Sequence, residues 1–136
     1  MIYGRMQTRD IAVAAAEIID STHKAIGGVL PIAAHQLAVC CGFTLAPIVG
    51  GYCASDMHVS VEGVELVRWL HYDASLPPAV QARCIALVCA RWLVERANKS
   101  PDAPLVEAVA SGLCGGCKPL VRATAALLAA VAQQGA

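Results

Sequence analysis

The segment "RCIALVCARWLVER", residues 83 to 96, is apolar on nearly every side of a helix and holds Arg91 in its middle. A helix with so narrow a polar stripe is unstable in water and must be wrapped by other elements. The fold is therefore built around this segment. The preceding "DASLPPAV" supplies its start: Ser75 is placed to cap, Pro77 or Pro78 suits a first turn, and the run continues to about Asn98.

The rest of the chain supplies the wrapping. In "TRDIAVAAAEIIDSTHKAI", residues 8 to 26, Ile11, Ala15, Ile18, Ile19 and Thr22 recur at helical spacing, and Gly27-Gly28 stops the run. Pro31 opens "PIAAHQLAVCCGF", a short helix with Ile32, Leu37 and Cys41 inward, ended by Gly42. "FTLAPIV" alternates like a strand, and Pro47 confines it to an edge or a strand end. Met57, Val59 and Val61 alternate with His58, Ser60 and Glu62, so "MHVSVEG" and "VELVRWLHYD" form a hairpin whose register is set at Glu62-Gly63. Past the central helix come the loop "KSPDAP", a short helix over residues 103 to 112, and a last helix in "KPLVRATAALLAAVAQQ". The order α-α-β-β-β-α-α-α predicts an α+β fold, mostly helical, with a small antiparallel three-stranded sheet or hairpin beside a central buried helix.

Composition narrows the function classes. At 136 residues the chain has the length of a single domain. Ten basic residues balance ten acidic ones, so no overall charge favours nucleic acid or an acidic membrane. Hydrophobic residues make up 57% and aromatics only 4%, which favours closely packed helices. No secretory signal stands at "MIYGRMQTRD", and the apolar runs break before the roughly 20 residues a membrane span needs. A cytoplasmic protein without a membrane span is expected. Its seven cysteines, an odd number, then read as reduced thiols, most of them small core residues.

The succession "GGVLPIAAHQLAVCCGFTL", a glycine-bounded sheet segment, and "VRWLHYDASLPPAVQARCIALVCARWLVER" resembles the IrrE/ImmA family of zinc metallopeptidase-like proteins over roughly residues 8 to 98. The resemblance implies a zincin-like minimal scaffold in residues 1 to 100, with residues 101 to 136 as a C-terminal helical extension. Ile85 and Ala86 match the residues before the family's His-Glu-x-x-His motif, and Trp92, Leu93 and Val94 match those after it. The motif itself is replaced. Two histidines four apart share a helix face and hold one zinc, while the glutamate deprotonates the metal's water. Leu87, Val88 and Arg91 stand at those positions: the first two offer no lone pair, and a protonated guanidinium repels a cation. Two readings of Arg91 stay open: an exposed pair with Glu95, or a plug in the vacated pocket that meets a carboxylate or a partner's acidic group. Glu107, the acidic residue of the following helix, is assigned no metal role.

Other constellations are weaker. Cys114-Gly-Gly-Cys117 has the spacing of a redox pair or half a zinc site, and at the start of the last helix the dipole would lower a thiol pKa. Cys84 and Cys89, five apart, do not share a helix face. His23, His35, His58 and His71 show no ligand spacing along the chain, although His71 and Tyr72, just before the central helix, are placed to line a cleft with Arg91 and Trp92. A helix-turn-helix reading of "PIAAHQLAVCCGFTLAPIVGG" puts Pro47 inside a recognition helix that has no Arg, Lys, Asn or Gln for base edges, so direct nucleic-acid binding is not expected.

The expected function is a non-catalytic IrrE/ImmA-like regulatory or protein-interaction module, without cofactor. What the family implies for its partner is a DNA-binding repressor in stress response or phage and mobile-element control. The apolar segment "PLVRATAALLAAVA" is a natural contact surface and suits a homodimer. The alternatives are a cysteine-based metal-binding or redox protein using Cys114, Cys117, Cys89 or His71, and, more weakly, a DNA-binding transcription regulator.

Overall fold

A computed structural model describes residues 8–49 and 55–115. The order is α1 (Thr8–Ile26), α2 (Ala34–Cys40), β1 (Phe43–Ile48), β2 (Ser55–Glu62), β3 (Glu65–Asp73), α3 (Pro78–Arg96) and α4 (Ala103–Cys114). The fold is α+β, as its sequence predicts. The expected last helix, and with it most of the C-terminal extension, lies outside the described residues.

The three strands form one sheet in the order β1-β3-β2. The β2–β3 hairpin is antiparallel, closed by the Glu62–Glu65 pair around Gly63 and Val64. Gly63 has φ +66°, a conformation that costs glycine nothing. β1, however, runs parallel to β3, so the sheet is mixed where an antiparallel one was expected. Burial explains the arrangement. Leu70 on β3 is fully buried, so β3 takes the centre with a hydrogen-bonded neighbour on each side. β1 carries Pro47, which cannot donate to a ladder, and β2 alternates polar residues; both suit edges.

Alternation places Phe43, Leu70, Tyr72, Met57, Val59 and Val61 on one sheet face, and Thr44, Trp69, His71, His58 and Ser60 on the other. The first face joins the core: Phe43 and Leu70 cluster with Leu37 of α2, Ile85, Cys89 and Val94 of α3, and Leu105, Val109 and Leu113 of α4. α4 packs against both α1 and α3, and α3 also meets α2 and the hairpin strands, which makes α3 the central helix.

Several boundaries differ from the sequence reading. α2 begins at Ala34 rather than at Pro31, because the Ile32 amide donates to the Leu113 carbonyl (2.8 Å) and ties this segment to the end of α4. Ser75 does not cap α3. Its backbone amide and hydroxyl both donate to Asp73 Oδ1, Pro77 takes the N-cap position, and Gln81 Nε2 bonds back to the Leu76 carbonyl (2.7 Å). α4 continues through Gly112 to Cys114, since Gly112 lets α4 approach Ile19 of α1 closely instead of ending the helix. Gly27, at φ +72°, does end α1 as expected, its amide donating to the His23 carbonyl.

Candidate functional site

Leu87 and Val88 are half-buried and pack against the apolar core. Arg91 is exposed, and its Nε donates to Glu95 Oε1 at 3.1 Å. Of the two readings of Arg91, the exposed i,i+4 pair is the one observed. Glu107, on α4, instead pairs with Arg83 of α3 at 2.6 Å, joining the two helices at their surface.

His71 and Tyr72 do not line a common cleft with Trp92. They are neighbours on a strand, so their side chains leave opposite faces of the sheet. Tyr72 turns to α2 and meets the His35 ring edge-on, with centroids 5.6 Å apart. Trp92 packs edge-on to Phe43 at 5.5 Å, while the guanidinium groups of Arg68 and Arg96 lie 4.8 and 5.1 Å from its ring centroid. Arg68 also donates to the Cys41 carbonyl at the end of α2 (3.3 Å), where a cation complements the helix dipole. Trp92 and Arg96 border a cleft of about 820 Å³ between α1 and the end of α3, together with Glu17, Thr22, Cys41 and Lys99.

Cys41 and Cys89 form a thiol pair across α2 and α3. The Cys89 thiol donates to the Cys41 sulfur, and that hydrogen bond, aided by the charges of Arg68 and Arg96, lowers the Cys41 pKa against the effect of its burial. The same hydrogen bond, with burial, raises Cys89 far above the ordinary range. Cys114 behaves contrary to expectation. It lies in the last turn of α4, and burial and the charge of Cys41 push its pKa up to about 11. Cys117 lies outside the described residues, so the Cys-Gly-Gly-Cys pair is not placed.

The unpredicted constellation is on the other sheet face. His71 Nε2 and His58 Nδ1 are 2.9 Å apart, their rings tilted by 2° with centroids 4.8 Å apart. Trp69 stands beside both, 6.4 Å from the His58 ring and 6.3 Å from that of His71, and its Nε1 donates to Ser60 Oγ at 2.8 Å. The signal is present in the sequence. A hairpin turning at Gly63-Val64 pairs His58 with Trp69, which makes His58 and His71 diagonal neighbours on one face.

At its closed end the hairpin carries Val59, Val61, Val64 and Leu66, between 53% and 101% exposed. Val61 lies opposite Leu66, so the two share a face, and β2 is an edge strand. Among the described residues no group of three or more His, Cys, Asp or Glu side chains is arranged to hold a metal ion, and no helix is long and apolar enough to cross a membrane. No protein-family model, curated protein or solved structure matches the chain significantly.

Proposed function

We propose that this chain is a non-catalytic, cytoplasmic relative of the IrrE/ImmA-like metallopeptidases, keeping the scaffold as a protein-interaction module. Three observations support the reading. The succession of two helices, three strands and a core helix agrees with the one the resemblance implies. The motif positions carry Leu87, Val88 and an Arg91 occupied with Glu95, a set that can neither bind zinc nor activate water. The third carries the proposal: four large apolar side chains project from the tip of a hairpin whose outer strand is a sheet edge. Such a combination in a folded protein marks a contact surface.

The contact is with a second copy of the chain. Two β2 edges running antiparallel about a twofold axis would continue the sheet and bring Val59 and Val61 of each copy together, a self-complementary interface. The family's link to a repressor enters as the role of the dimer: control of a DNA-binding regulator in stress response or mobile-element induction. The segment "PLVRATAALLAAVA", read from sequence as the contact surface, lies outside the described residues.

Sedimentation equilibrium tests the interface. The untagged, reduced chain should sediment as a dimer, and the variant carrying Val61→Lys and Leu66→Lys as a monomer with an unchanged circular dichroism spectrum. One mass for both proteins overturns the hairpin interface.

A further inference from the structure

We propose that His58 and His71 form a binding site for a divalent late transition-metal ion of square-planar or octahedral preference, Cu²⁺ or Ni²⁺, on the sheet face opposite the core. Nothing in the peptidase resemblance concerns this face, and neither histidine lies on α3.

Distance is the first argument. Imidazole nitrogens bind such ions at about 2.0–2.1 Å, so two of them in adjacent positions around one ion, at a right angle, stand about 2.9 Å apart. His71 Nε2 and His58 Nδ1 are separated by 2.9 Å. A tetrahedral ion would spread the same nitrogens to about 3.3 Å at that bond length, which is why the geometry favours copper or nickel over zinc.

Protonation is the second. A hydrogen bond between two imidazole nitrogens requires one to donate and the other to accept, so the accepting ring is neutral at that atom and presents a lone pair. On metal binding the bridging hydrogen moves to the donor ring's other nitrogen. Both facing nitrogens then give their lone pairs to the ion, and no proton need leave the protein.

The third is support. The two histidines sit on paired strands of a continuous ladder, closed by a tight turn, so their Cα positions are held by the backbone. The Trp69 indole, fixed to Ser60 Oγ, flanks both rings and limits the rotations open to them. The remaining ligand positions face outward and suit water or a ligand from a bound molecule.

Calorimetric titration of Ni²⁺ into the untagged full chain, in a non-coordinating buffer with a non-chelating reductant, tests the site. One ion per chain should bind with a Kd on the order of 10 μM, as two protein ligands allow a labile and not a structural site. His58→Ala and His71→Ala should each weaken binding at least tenfold, while His23→Ala leaves it unchanged. His58→Gln, which keeps a polar side chain on the strand, should lose the metal with the melting temperature retained. No binding, or equal affinity in wild type and both alanine variants, overturns the proposal. So does a thiolate-to-nickel charge-transfer band, which would place the ion on cysteine. The sedimentation result is independent, since Val61 and Leu66 lie on the other face of the hairpin.

Discussion

Arg91 Nε and Glu95 Oε1 lie 3.1 Å apart on successive turns of α3, with 68% and 44% of their side chains exposed. A pair in water at that spacing contributes about 0.3–0.5 kcal/mol, so position 91 is nearly neutral for stability. Arg91→Ala, Glu95→Ala and the double variant, compared by urea denaturation, should give a coupling energy below about 1 kcal/mol that shrinks in salt. A loss above about 2 kcal/mol for Arg91→Ala alone would mean that its guanidinium has an internal role.

Gly112 and Ile19 define the contact between α4 and α1. A Cβ at Gly112 would collide with Ile19 Cδ1, which is held in the core. Alanine gains about 1 kcal/mol in helix propensity over glycine, but overpacking a tight site costs about 1–3 kcal/mol. Gly112→Ala is therefore expected to destabilise by about 1 kcal/mol. Ile19→Val removes the colliding methyl, so adding it should recover part of the loss; a cycle of thermal melts with strictly additive effects would show that the two residues do not touch.

Helix periodicity carries most of the fold. Ile11, Ala15, Ile18 and Ile19 are buried as their spacing requires, and Pro47 lies on an edge strand. What local pattern does not supply is pairing between distant segments. No residue of "FTLAPI" announces that it runs parallel to β3, because that follows from which strand is apolar enough to sit in the middle. Gly112 shows a related limit: the same residue ends a helix or lets one pack closely, and only the partner, Ile19, decides. At positions 87, 88 and 91 the lack of side chains able to bind zinc is legible residue by residue. The His58–His71 pair escapes a search for ligand spacing along the chain, because a hairpin brings residues together by their distance from its turn, and the turn falls at Gly63-Val64, one residue beyond the Glu62-Gly63 expected. The Cys41–Cys89 pair depends on how α2 docks on α3, and no spacing rule reaches it.

Cys114 should make stability fall in alkaline solution. Its folded-state pKa is raised to about 11 by burial and the Cys41 charge. Below the ordinary thiol pKa both states are protonated and the full contribution is present. As pH rises towards about 11, the unfolded chain releases its proton first and stability drops. Every tenfold difference in acidity between the folded and unfolded thiol corresponds to about 1.4 kcal/mol, and partial exposure of the side chain keeps the loss to about 2 kcal/mol at most. Cys114→Ala should flatten this part of the profile relative to wild type in chemical denaturation from pH 8 to about pH 11. Parallel profiles for the two proteins would place the titration elsewhere.

Thiol reactivity should separate the cysteines of the core. Cys41 borders the cleft and has a lowered pKa, whereas Cys89 is fully buried with a strongly raised one. Since the thiolate is the nucleophile, brief treatment of the native, reduced protein with iodoacetamide at about pH 7 should label Cys41 and the exposed Cys40 and leave Cys89 unmodified. Peptide mapping by mass spectrometry reads this directly. Labelling of Cys89 ahead of Cys41 would reverse the assignment of donor and acceptor in the pair.

The proposed kinship with the metallopeptidases requires that α3 hold no zinc ion. The most direct measurement is zinc bound per chain, by plasma mass spectrometry, in the untagged protein carrying His58→Ala and His71→Ala, after incubation with excess zinc under reducing conditions and gel filtration. Removing the hairpin histidines leaves only ligands belonging to the rest of the scaffold. Less than about a tenth of an equivalent is predicted, because a structural or catalytic zinc site would survive that passage. One equivalent retained would contradict that reading.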